Sequence, residues 1–439
     1  MSLTQTHEFR IPYMVGVYLA VNAIPDVWLL TDGPDCLFFK AEFVHGAQDF
    51  HSTLLDVKGR HRVAHTLADI NNVVLDREQH IASMIQRLAT EPEAGMVLVS
   101  ALPMASITGT QYDRIARDMS ARTEKPIAEV PARSLQGDWL DGYAQVLAAV
   151  AREIPAPPGL QPSRDTVAIV GPLVDRTEAD RLADIRELRR ILEDGLGVRV
   201  ASIWPSNVPV RELADVFGAG TLISLPYGRK AAKILKKRTG ARLVEASLPV
   251  GIDGTSAFVR EVAAALDRQE AGERFLQEEK DTWNDRMRHA SQGIDGRRFI
   301  VIGDPWLAPA TIRMIEDAGG QVVAAQTTSS DMRPIGGLPS WMELESPLRV
   351  DMVVAPTRGI DAALRMACPF FEFGFTSYGT HAFFDAPTLG FGGAVNVLSA
   401  MSSSLSLFKR LDESGRWDLR NLADRSLVTP GDGLADTRG

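Results

Sequence analysis

The stretch Thr166-Val167-Ala168-Ile169-Val170-Gly171 is continuously apolar and ends in glycine. Continuous hydrophobicity, as opposed to alternation, is typical of a strand buried on both faces of a parallel sheet. A helical pattern follows, with apolar residues at three- and four-residue steps: Leu182, Ile185, Leu188 and Leu192. Thr177 is a candidate cap for this helix and Gly195 a candidate end. A second apolar run at 198–201 completes a strand–helix–strand unit.

Runs of the same kind recur along the chain, each ending in Gly, Pro, Asp or Ser. They lie at 27–30, 96–99, 126–130, 221–224, 242–244, 299–303, 321–324 and 351–354. Alternation of such strands with helices indicates doubly wound layers. The sequence therefore predicts an α/β protein made of Rossmann-like domains with parallel sheets.

Two connecting segments suggest where the domains end. Residues 154–162 are rich in proline, and a charged helical stretch at 267–287 precedes the strand predicted at 299. We predict three α/β domains, at 1–160, 161–292 and 293–407, and a polar C-terminal tail at 408–439. A glycine-rich segment at 387–394 opens a helix that we expect to run to about Leu405.

Composition excludes several classes of protein. Of the 439 residues, 45% are hydrophobic and 23% charged, which is ordinary for a globular protein and not for a disordered, collagenous or multi-span membrane chain. The net charge of −9 argues against nucleic acid as a partner. The apolar stretch 14–30 is interrupted by Asn22, Pro25 and Asp26, so we interpret it as a buried helix and a buried strand and not as a signal peptide. We expect a cytoplasmic protein with no membrane span.

The turn Thr31-Asp32-Gly33-Pro34-Asp35-Cys36 directly follows the first predicted strand, where open α/β sheets place ligand-binding loops. A thiolate there can bind a metal or an iron–sulfur cluster or act as a nucleophile, whereas the alternative is a small buried cysteine. Two cysteines in the chain exclude a disulfide framework and a self-contained four-cysteine site. Any four-iron cluster would therefore lie at a subunit interface. Cys368, within an apolar pattern, is expected to pack in the core.

Other patterns carry weaker signals. His61 and His65 are four residues apart on a predicted helix, but the segment between them lacks the glutamate of a zinc-protease motif, so a solvated helix face is favoured. The glycines that end the strands form neither a dinucleotide fingerprint nor a P-loop, and we expect no nucleotide to bind this chain. A basic helix at 229–238 either docks an acidic partner or anionic substrate or is simply a solvated face, which is favoured.

The candidates for proton transfer lie in or beside a polar stretch between Gly374 and Pro387. His381 is the only histidine after His289, and it lies in a predicted loop where a proton donor is useful. Ordinary hydrogen bonding within the loop is the alternative. We predict three catalytic candidates, His381, Glu372 and Asp385, with Tyr378 beside them.

In order, these features resemble component 1 of the nitrogenase superfamily, which includes nitrogenase subunits and the light-independent protochlorophyllide and chlorophyllide reductases. The Asp32-to-Cys36 turn is similar to the family's H/D-G-P-x-G-C, and Pro249-Val250-Gly251-Ile252-Asp253-Gly254-Thr255 to its P-x-G-x-x-x-T. A third block runs from 299–305 through Glu372-Phe373-Gly374-Phe375 to Leu389-Gly390-Phe391-Gly392-Gly393-Ala394. The resemblance covers residues 16–407 and implies the fold of that family.

Departures from the family pattern decide what the resemblance implies for cofactors. Family members that hold a cluster have three cysteines in the first domain, whereas this chain has only Cys36. At the positions of the other two cysteines it has an apolar residue near 13–15 and Leu102. Gly109-Thr110-Gln111 replaces the family's G-D-D. The chain looks like the single-cysteine partner subunit of chlorophyllide reductase. That likeness implies a [4Fe-4S] cluster at a subunit interface, with Cys36 as its metal ligand and Asp35 and Gly33 beside it. Asp32 or Asp35 can be an oxygen ligand or cap the next helix, which is favoured.

The resemblance also implies partners and a reaction. The partners are a cysteine-richer paralogous subunit, or a second copy of this chain, and a separate ATP-hydrolysing iron protein that supplies electrons. The leading hypothesis is ATP-driven reduction of an unsaturated, tetrapyrrole-like substrate. The alternatives are a cluster-free scaffold or regulatory binding protein of the same family, and a two-domain group-transfer enzyme, against which the third α/β unit argues.

Overall fold

The computed structural model describes residues 11–34, 36–55, 58–67, 77–106, 109–133, 135–329, 333–344 and 349–413. Asp35 and most of the predicted polar tail, from 414 onward, lie outside these ranges. The chain divides into two compact units. The first unit consists of residues up to 283 together with 380–394, and the second of 284–379 together with the residues from 395 on.

Twelve strands in the described ranges form three parallel sheets of four strands each. The first sheet contains β1 (Val27–Asp32), β2 (Val63–His65), β3 (Met96–Ala101) and β4 (Ile127–Glu129). The second contains β5 (Ser163–Val170), β6 (Arg199–Trp204), β7 (Ala219–Ser224) and β8 (Arg242–Glu245). The third, in the second unit, contains β9 (Arg298–Gly303), β10 (Gln321–Thr327), β11 (Met352–Ala355) and β12 (Phe370–Glu372).

All three sheets have the same topology. Their orders are β2-β1-β3-β4, β6-β5-β7-β8 and β10-β9-β11-β12, and every neighbouring pair is parallel. The strand order therefore reverses between the first and third strand of each sheet, and ligands of open α/β sheets bind at such a switch point. The predicted α/β class with parallel sheets is confirmed. Each sheet lies within one of the three predicted domains, whose boundaries stay a prediction.

Helices connect and cover the strands. In the first unit they are α1 (Tyr13–Asn22), α2 (Cys36–Phe43), α3 (Arg77–Ala89), α4 (Pro103–Ser106), α5 (Tyr112–Thr123), α6 (Trp139–Glu153), α7 (Ala179–Arg190), α8 (Val210–Leu213), α9 (Arg229–Thr239) and α10 (Gly251–Ala265). The remaining helices are α11 (Gln269–Gln292), α12 (Leu307–Asp317), α13 (Ile360–Met366) and α14 (Gly390–Glu413). Single π-helical turns extend α2 and α7, at Val44–Gln48 and Ile191–Gly195, and short 3₁₀ turns lie at Ala214–Gly218, Pro226–Gly228, Trp341–Glu343 and Thr357–Gly359.

The central strands are buried because helices cover both faces of the sheet. In the first sheet, Leu30 and Val99 pack against Ile81 of α3 and Ile115 of α5 in one apolar core. Every residue of β1 and β3 is buried, which explains why their hydrophobicity is continuous and does not alternate.

Helices α1 and α6 approach each other more closely than side chains would allow. A Cβ atom on Gly16 would lie 1.8 Å from the carbonyl oxygen of Trp139, and one on Gly142 would lie 2.1 Å from that of Tyr13. Glycine is therefore required at both positions, because any larger residue would push the two helices apart. Every residue of α1 is buried.

Two local predictions were wrong. Residues 63–65 form a strand and not a helix, with Thr31 of β1 paired to His65, because the short segment completes the edge of the first sheet. Thr177 does not cap α7: its hydroxyl donates to the carbonyl oxygen of His51 at 2.6 Å, and Glu178 is the N-cap residue. The predicted end of this helix at Gly195 is confirmed by the π-helical turn that closes there.

One helical segment in the described ranges, Gly390–Lys409, is long and apolar enough to cross a membrane by length and composition alone. Within the protein, 39% of its most apolar window is buried. Helix α14 continues past the predicted end near Leu405, to Glu413.

Candidate functional site

The predicted cysteine turn lies at the switch point of the first sheet. Strand β1 ends at Asp32 and helix α2 begins at Cys36, while the neighbouring strand β3 ends at Ala101. The amide of Leu102 donates to the carbonyl oxygen of Asp32 at 2.9 Å, which ties the ends of the two strands together. Cys36 and Leu102 thus follow adjacent strands at the carboxyl end of the sheet.

Asp32 is a buried structural carboxylate. It forms an ion pair with Arg77 of α3 and accepts hydrogen bonds from the hydroxyls of Thr66 and Tyr112, each at 2.6 Å. Burial, and then the bond to Asp32, raises the pKa of Tyr112 well above its usual value, so Tyr112 remains a donor. The partners of Asp32 thus lie on α3, after β2 and on α5. The sequence predicts either that Asp32 caps the next helix or that it binds a metal, and neither prediction includes these partners.

Gly33 is held by the same network. Its amide donates to the hydroxyl oxygen of Thr66 at 3.1 Å, and that hydroxyl in turn donates to Asp32. The backbone of the turn is therefore fixed on the side of Gly33 before the chain reaches Cys36.

Two buried hydroxyls beside this turn have no partner in the described residues. They belong to Thr31 and Ser100, which are paired across β1 and β3 and point to the face opposite Asp32. A buried hydroxyl without a hydrogen bond costs about 1–3 kcal/mol, so these two groups carry a local cost in the folded chain.

A second polar region follows strand β5, in the segment Asp175-Arg176-Thr177-Glu178-Ala179-Asp180-Arg181. Arg176 pairs with Asp180 at 2.6 Å, and Arg181 pairs with Asp175 at 2.6 Å and with Asp184 at 3.2 Å. Burial opposes the charge on Asp180, but the nearby guanidinium groups outweigh it and lower the pKa of that carboxyl. This region is a buried network in which three aspartates share two guanidinium groups.

His381 joins this second region through Glu178. The Nδ1 atom of His381 lies 2.7 Å from one carboxylate oxygen of Glu178, with side-chain exposures of 10% and 1%. The amides of Phe50 and Ala382 donate to the same carboxylate at 3.0 and 2.8 Å. The ring of Phe50 stacks on the imidazole with 3.6 Å between ring centres and 12° between planes.

The other predicted catalytic residues do not all meet His381. Asp385, also in the first unit, forms an ion pair with Arg186 at 2.6 Å, and both side chains are more than half exposed. Glu372 belongs to the second unit, where it accepts from the hydroxyl of Thr357 and from the amide of Gly379. Its position supports a turn of the polypeptide.

Two further predicted residues also lie in the second unit. The amide of Tyr378 donates to the Thr357 hydroxyl at 3.1 Å, which places Tyr378 beside Glu372. Cys368 is buried, as its predicted core role requires, and burial raises the pKa of its thiol to about 12.

The basic helix predicted at 229–238 is α9, and its charges are only partly solvated. Lys230 donates to the side chain of Gln145 at 2.5 Å and Arg238 to the carbonyl oxygen of Ala151 at 2.9 Å, both on α6. Arg229 pairs with Glu245 at 2.9 Å. The bonds of Lys230 and Arg238 attach α9 to α6, and the Arg229 pair attaches it to β8.

Two of the quoted sequence blocks meet in the first unit. The carbonyl oxygen of Pro249 accepts from the hydroxyl of Thr255 at 3.2 Å and from the amide of Gly390 at 2.8 Å. Gly390 has a φ of +73°, and a Cβ there would lie 2.2 Å from the carboxylate of Glu187, so the position requires glycine.

Sequence reasoning missed the residues that hold these sites in place: Arg77, Tyr112, Glu178 and Phe50. The sequence offers one signal for Glu178: acidic and basic residues alternate in the segment that follows β5. This pattern is unusual for the first turn of a helix that is exposed to solvent. Within the ranges described, no three His, Cys, Asp or Glu side chains are placed to bind one metal ion.

Curated relatives point to one group of proteins. A light-independent protochlorophyllide reductase subunit N of Chloroflexus aurantiacus is 23% identical, with 76% of this chain and 74% of the relative covered. The nitrogenase iron-molybdenum cofactor biosynthesis protein NifN of Nostoc sp. is 21% identical, with 74% and 78% covered. A nitrogenase iron-iron protein beta chain of Rhodobacter capsulatus is 23% identical over about half of each chain.

A solved structure shows the same fold. The chain described as nitrogenase Cp1 at pH 6.5 superposes with a TM-score of 0.75 at 16% identity, covering 100% of this chain and 98% of that one. Residues 13–406 match the family described as nitrogenase component 1 type oxidoreductase. The resemblance inferred from the sequence is therefore confirmed, and this chain belongs to the nitrogenase component 1 family.

Proposed function

We propose that this chain is one subunit of a nitrogenase-like reductase and that Cys36 completes a [4Fe-4S] cluster shared with another subunit. The observation that carries the proposal is the position of Cys36, which begins α2 at the switch point of the first sheet in a chain matched to the family over residues 13–406.

The donor groups of this chain fit one part of such a cluster. A four-iron cluster takes about four protein ligands, and Cys36 supplies one thiolate, whereas Leu102 at the end of β3 supplies none. The remaining ligands would come from a partner subunit.

The surface beside Cys36 also favours a partner. Phe39, on the same helix, is 73% exposed, and Leu67, which follows β2, is 60% exposed. A partner subunit that covers this end of the sheet would bury such side chains. We propose a cysteine-richer paralogous subunit as that chain, with a second copy of this chain as the alternative.

The reaction proposed is reduction of an unsaturated, tetrapyrrole-like substrate in the cytoplasm, with electrons from a separate ATP-hydrolysing iron protein. The relatives named light-independent protochlorophyllide reductase support this choice of reaction and substrate class. When bound, the cluster supplies one-electron transfer. Cys36 would hold the cluster. We assign proton transfer to His381 ahead of Glu372 and Asp385, because Glu372 is bonded within its own turn and Asp385 is paired at the surface.

One observation favours a second candidate, a cluster-free scaffold. The chain has two cysteines, of which Cys368 is buried and has a raised pKa, so Cys36 alone remains for ligation. A relative is named as a cofactor biosynthesis protein, which is a role distinct from that of a reductase.

Iron and acid-labile sulfide, measured anaerobically on the chain alone and with its partner subunit, test the proposal. We expect about four iron atoms per heterodimer in the complex, all lost in Cys36→Ser and kept in the matched control Cys368→Ser. Iron retained by both variants would remove Cys36 as a ligand. Absence of iron from the wild-type complex would favour the scaffold.

A further inference from the structure

Glu178 is a buried carboxylate surrounded by hydrogen-bond donors. Besides the imidazole of His381, it accepts from the amides of Phe50 and Ala382, and the guanidinium of Arg176 lies 3.8 Å away. Each oxygen therefore faces at least one donor, which is the environment of an ionised carboxylate.

This arrangement decides which nitrogen of His381 carries hydrogen. An ionised carboxylate only accepts hydrogen bonds, so Nδ1 at 2.7 Å must donate. In the neutral imidazole, Nε2 is then the atom with a lone pair. No hydrogen bond to Nε2 comes from the described residues, and Nε2 is not among their buried unpaired atoms.

Hydrogen bonds to the residues before and after His381 also fix the orientation of its imidazole. Thr380 accepts from Arg176 at 2.7 Å through its carbonyl oxygen, and the amide of Ala382 is bonded to Glu178. The residues before and after His381 are thus anchored to the segment that follows β5. Phe50, stacked on the ring, prevents it from turning over.

We infer that Glu178 is a positioning residue for His381: it keeps the hydrogen on Nδ1 and leaves Nε2 as the atom that exchanges a proton. The inference rests on the proton-transfer role proposed above for His381. The tautomer itself is a property of this chain alone and can be measured without a cluster or a reductase. The charged groups that face the pair are Arg176 and, through it, Asp180.

Nitrogen NMR of the full-length chain, labelled with ¹⁵N in its histidine rings, tests the inference. The signals of His381 are identified by their loss in His381→Gln. We expect the Nδ1–H tautomer in the wild type. In Glu178→Gln the Nδ1–H tautomer should lose its dominance, because a neutral amide can donate to the ring nitrogen as well as accept from it.

The matched control is Glu279→Gln, which neutralises another buried glutamate of the first unit that bonds to Arg190 and not to His381. It should leave the His381 signals unchanged. Glu178→Asp keeps the charge and provides a second variant if Glu178→Gln does not fold. It should retain part of the tautomer preference, because a carboxylate only accepts hydrogen bonds.

Two results would overturn the inference: an Nε2–H tautomer in the wild type, or His381 signals that do not change in Glu178→Gln. In the assembled reductase, Glu178→Gln should lower kcat with KM little changed, because the variant disturbs the tautomer of His381 and no contact with substrate. An inactive assembly whose NMR results are as expected would refute the proposed reductase and leave the positioning role of Glu178 intact.

Discussion

Two buried polar regions of the first unit differ in how completely their groups are paired. After β5, Asp175, Asp180 and Asp184 all face the guanidinium groups of Arg176 or Arg181. At the edge of the first sheet, Asp32 is paired in the same way, but the hydroxyls of Thr31 and Ser100 on the other face have no partner in the described residues.

The difference separates a network that holds elements together from a place where buried hydroxyls are left unpaired. Buried polar groups that are fully paired hold elements together at little net cost, whereas unpaired ones cost free energy. We therefore expect substitutions after β5 to lower the stability of the fold, and replacement of the Thr31 or Ser100 hydroxyl by an apolar group to cost little.

The largest effect is expected for Arg181→Leu. It leaves Asp175 and Asp184 buried without their cation, and breaking a buried ion pair on one side costs about 3–5 kcal/mol. Urea unfolding of the full chain measures the loss. The control Arg186→Ala removes the exposed pair with Asp385 and should cost less than about 1 kcal/mol. Equal losses in both variants would contradict the assignment of the β5 segment as a structural network.

An intermediate effect is expected from His65 at the edge of the first sheet. Burial, with a smaller contribution from the charge of His61, lowers the pKa of His65 from 6.5 to about 4. The unfolded chain therefore binds the proton more tightly, so stability is complete above pH 6.5 and falls as the pH drops from 6.5 to 4. The loss is about 3 kcal/mol at most. Urea unfolding measured across this pH range should show that the free energy of unfolding declines less steeply in His65→Gln than in the wild type. Equal slopes in the two proteins would refute the assignment to His65.

The smallest effects come from a matched pair, Thr177→Val and Thr31→Val. The Thr177 hydroxyl donates to His51 and its amide donates to Asp49, so removing the hydroxyl should cost about 1–3 kcal/mol. The Thr31 hydroxyl has no partner, so valine there should be neutral or slightly stabilising in the isolated chain. The urea midpoints of the two variants, each compared with that of the wild type, measure these costs. A clear loss in Thr31→Val would show that its hydroxyl is bonded and would weaken the contrast between the two regions.

Most of the fold could be predicted because its strands are buried on both sides. The runs at 96–99, 166–171 and 299–303 were recognised because every neighbour in a covered sheet is apolar, which leaves a signal in local sequence. Strand β2 was missed because it has three residues at a sheet edge, between Arg62 and Thr66, and has no such signal. Its pairing with β1 is a tertiary contact.

The candidate site was predictable only where its residues are consecutive. The Cys36 turn was located because it follows a strand within a few residues, at the edge where such sheets bind ligands. Glu178 could not be found in this way, since its partners Phe50 and His381 lie 128 and 203 positions away in the chain. Asp385 was selected as a polar loop residue, and its exposure depends on folding that no local pattern reports.

The contact between α1 and α6 has a consequence for how the protein is made. Helix α1 is wholly buried, and the glycines that let it approach α6 are useful only when both helices are present. Roughly 120 residues separate the two helices, so at about 5–20 residues per second an apolar helix waits on the order of 10 s on the ribosome before its partner is synthesised. During that interval α1 is a natural binding target for a chaperone, and pausing of translation between the two helices would lengthen its exposure.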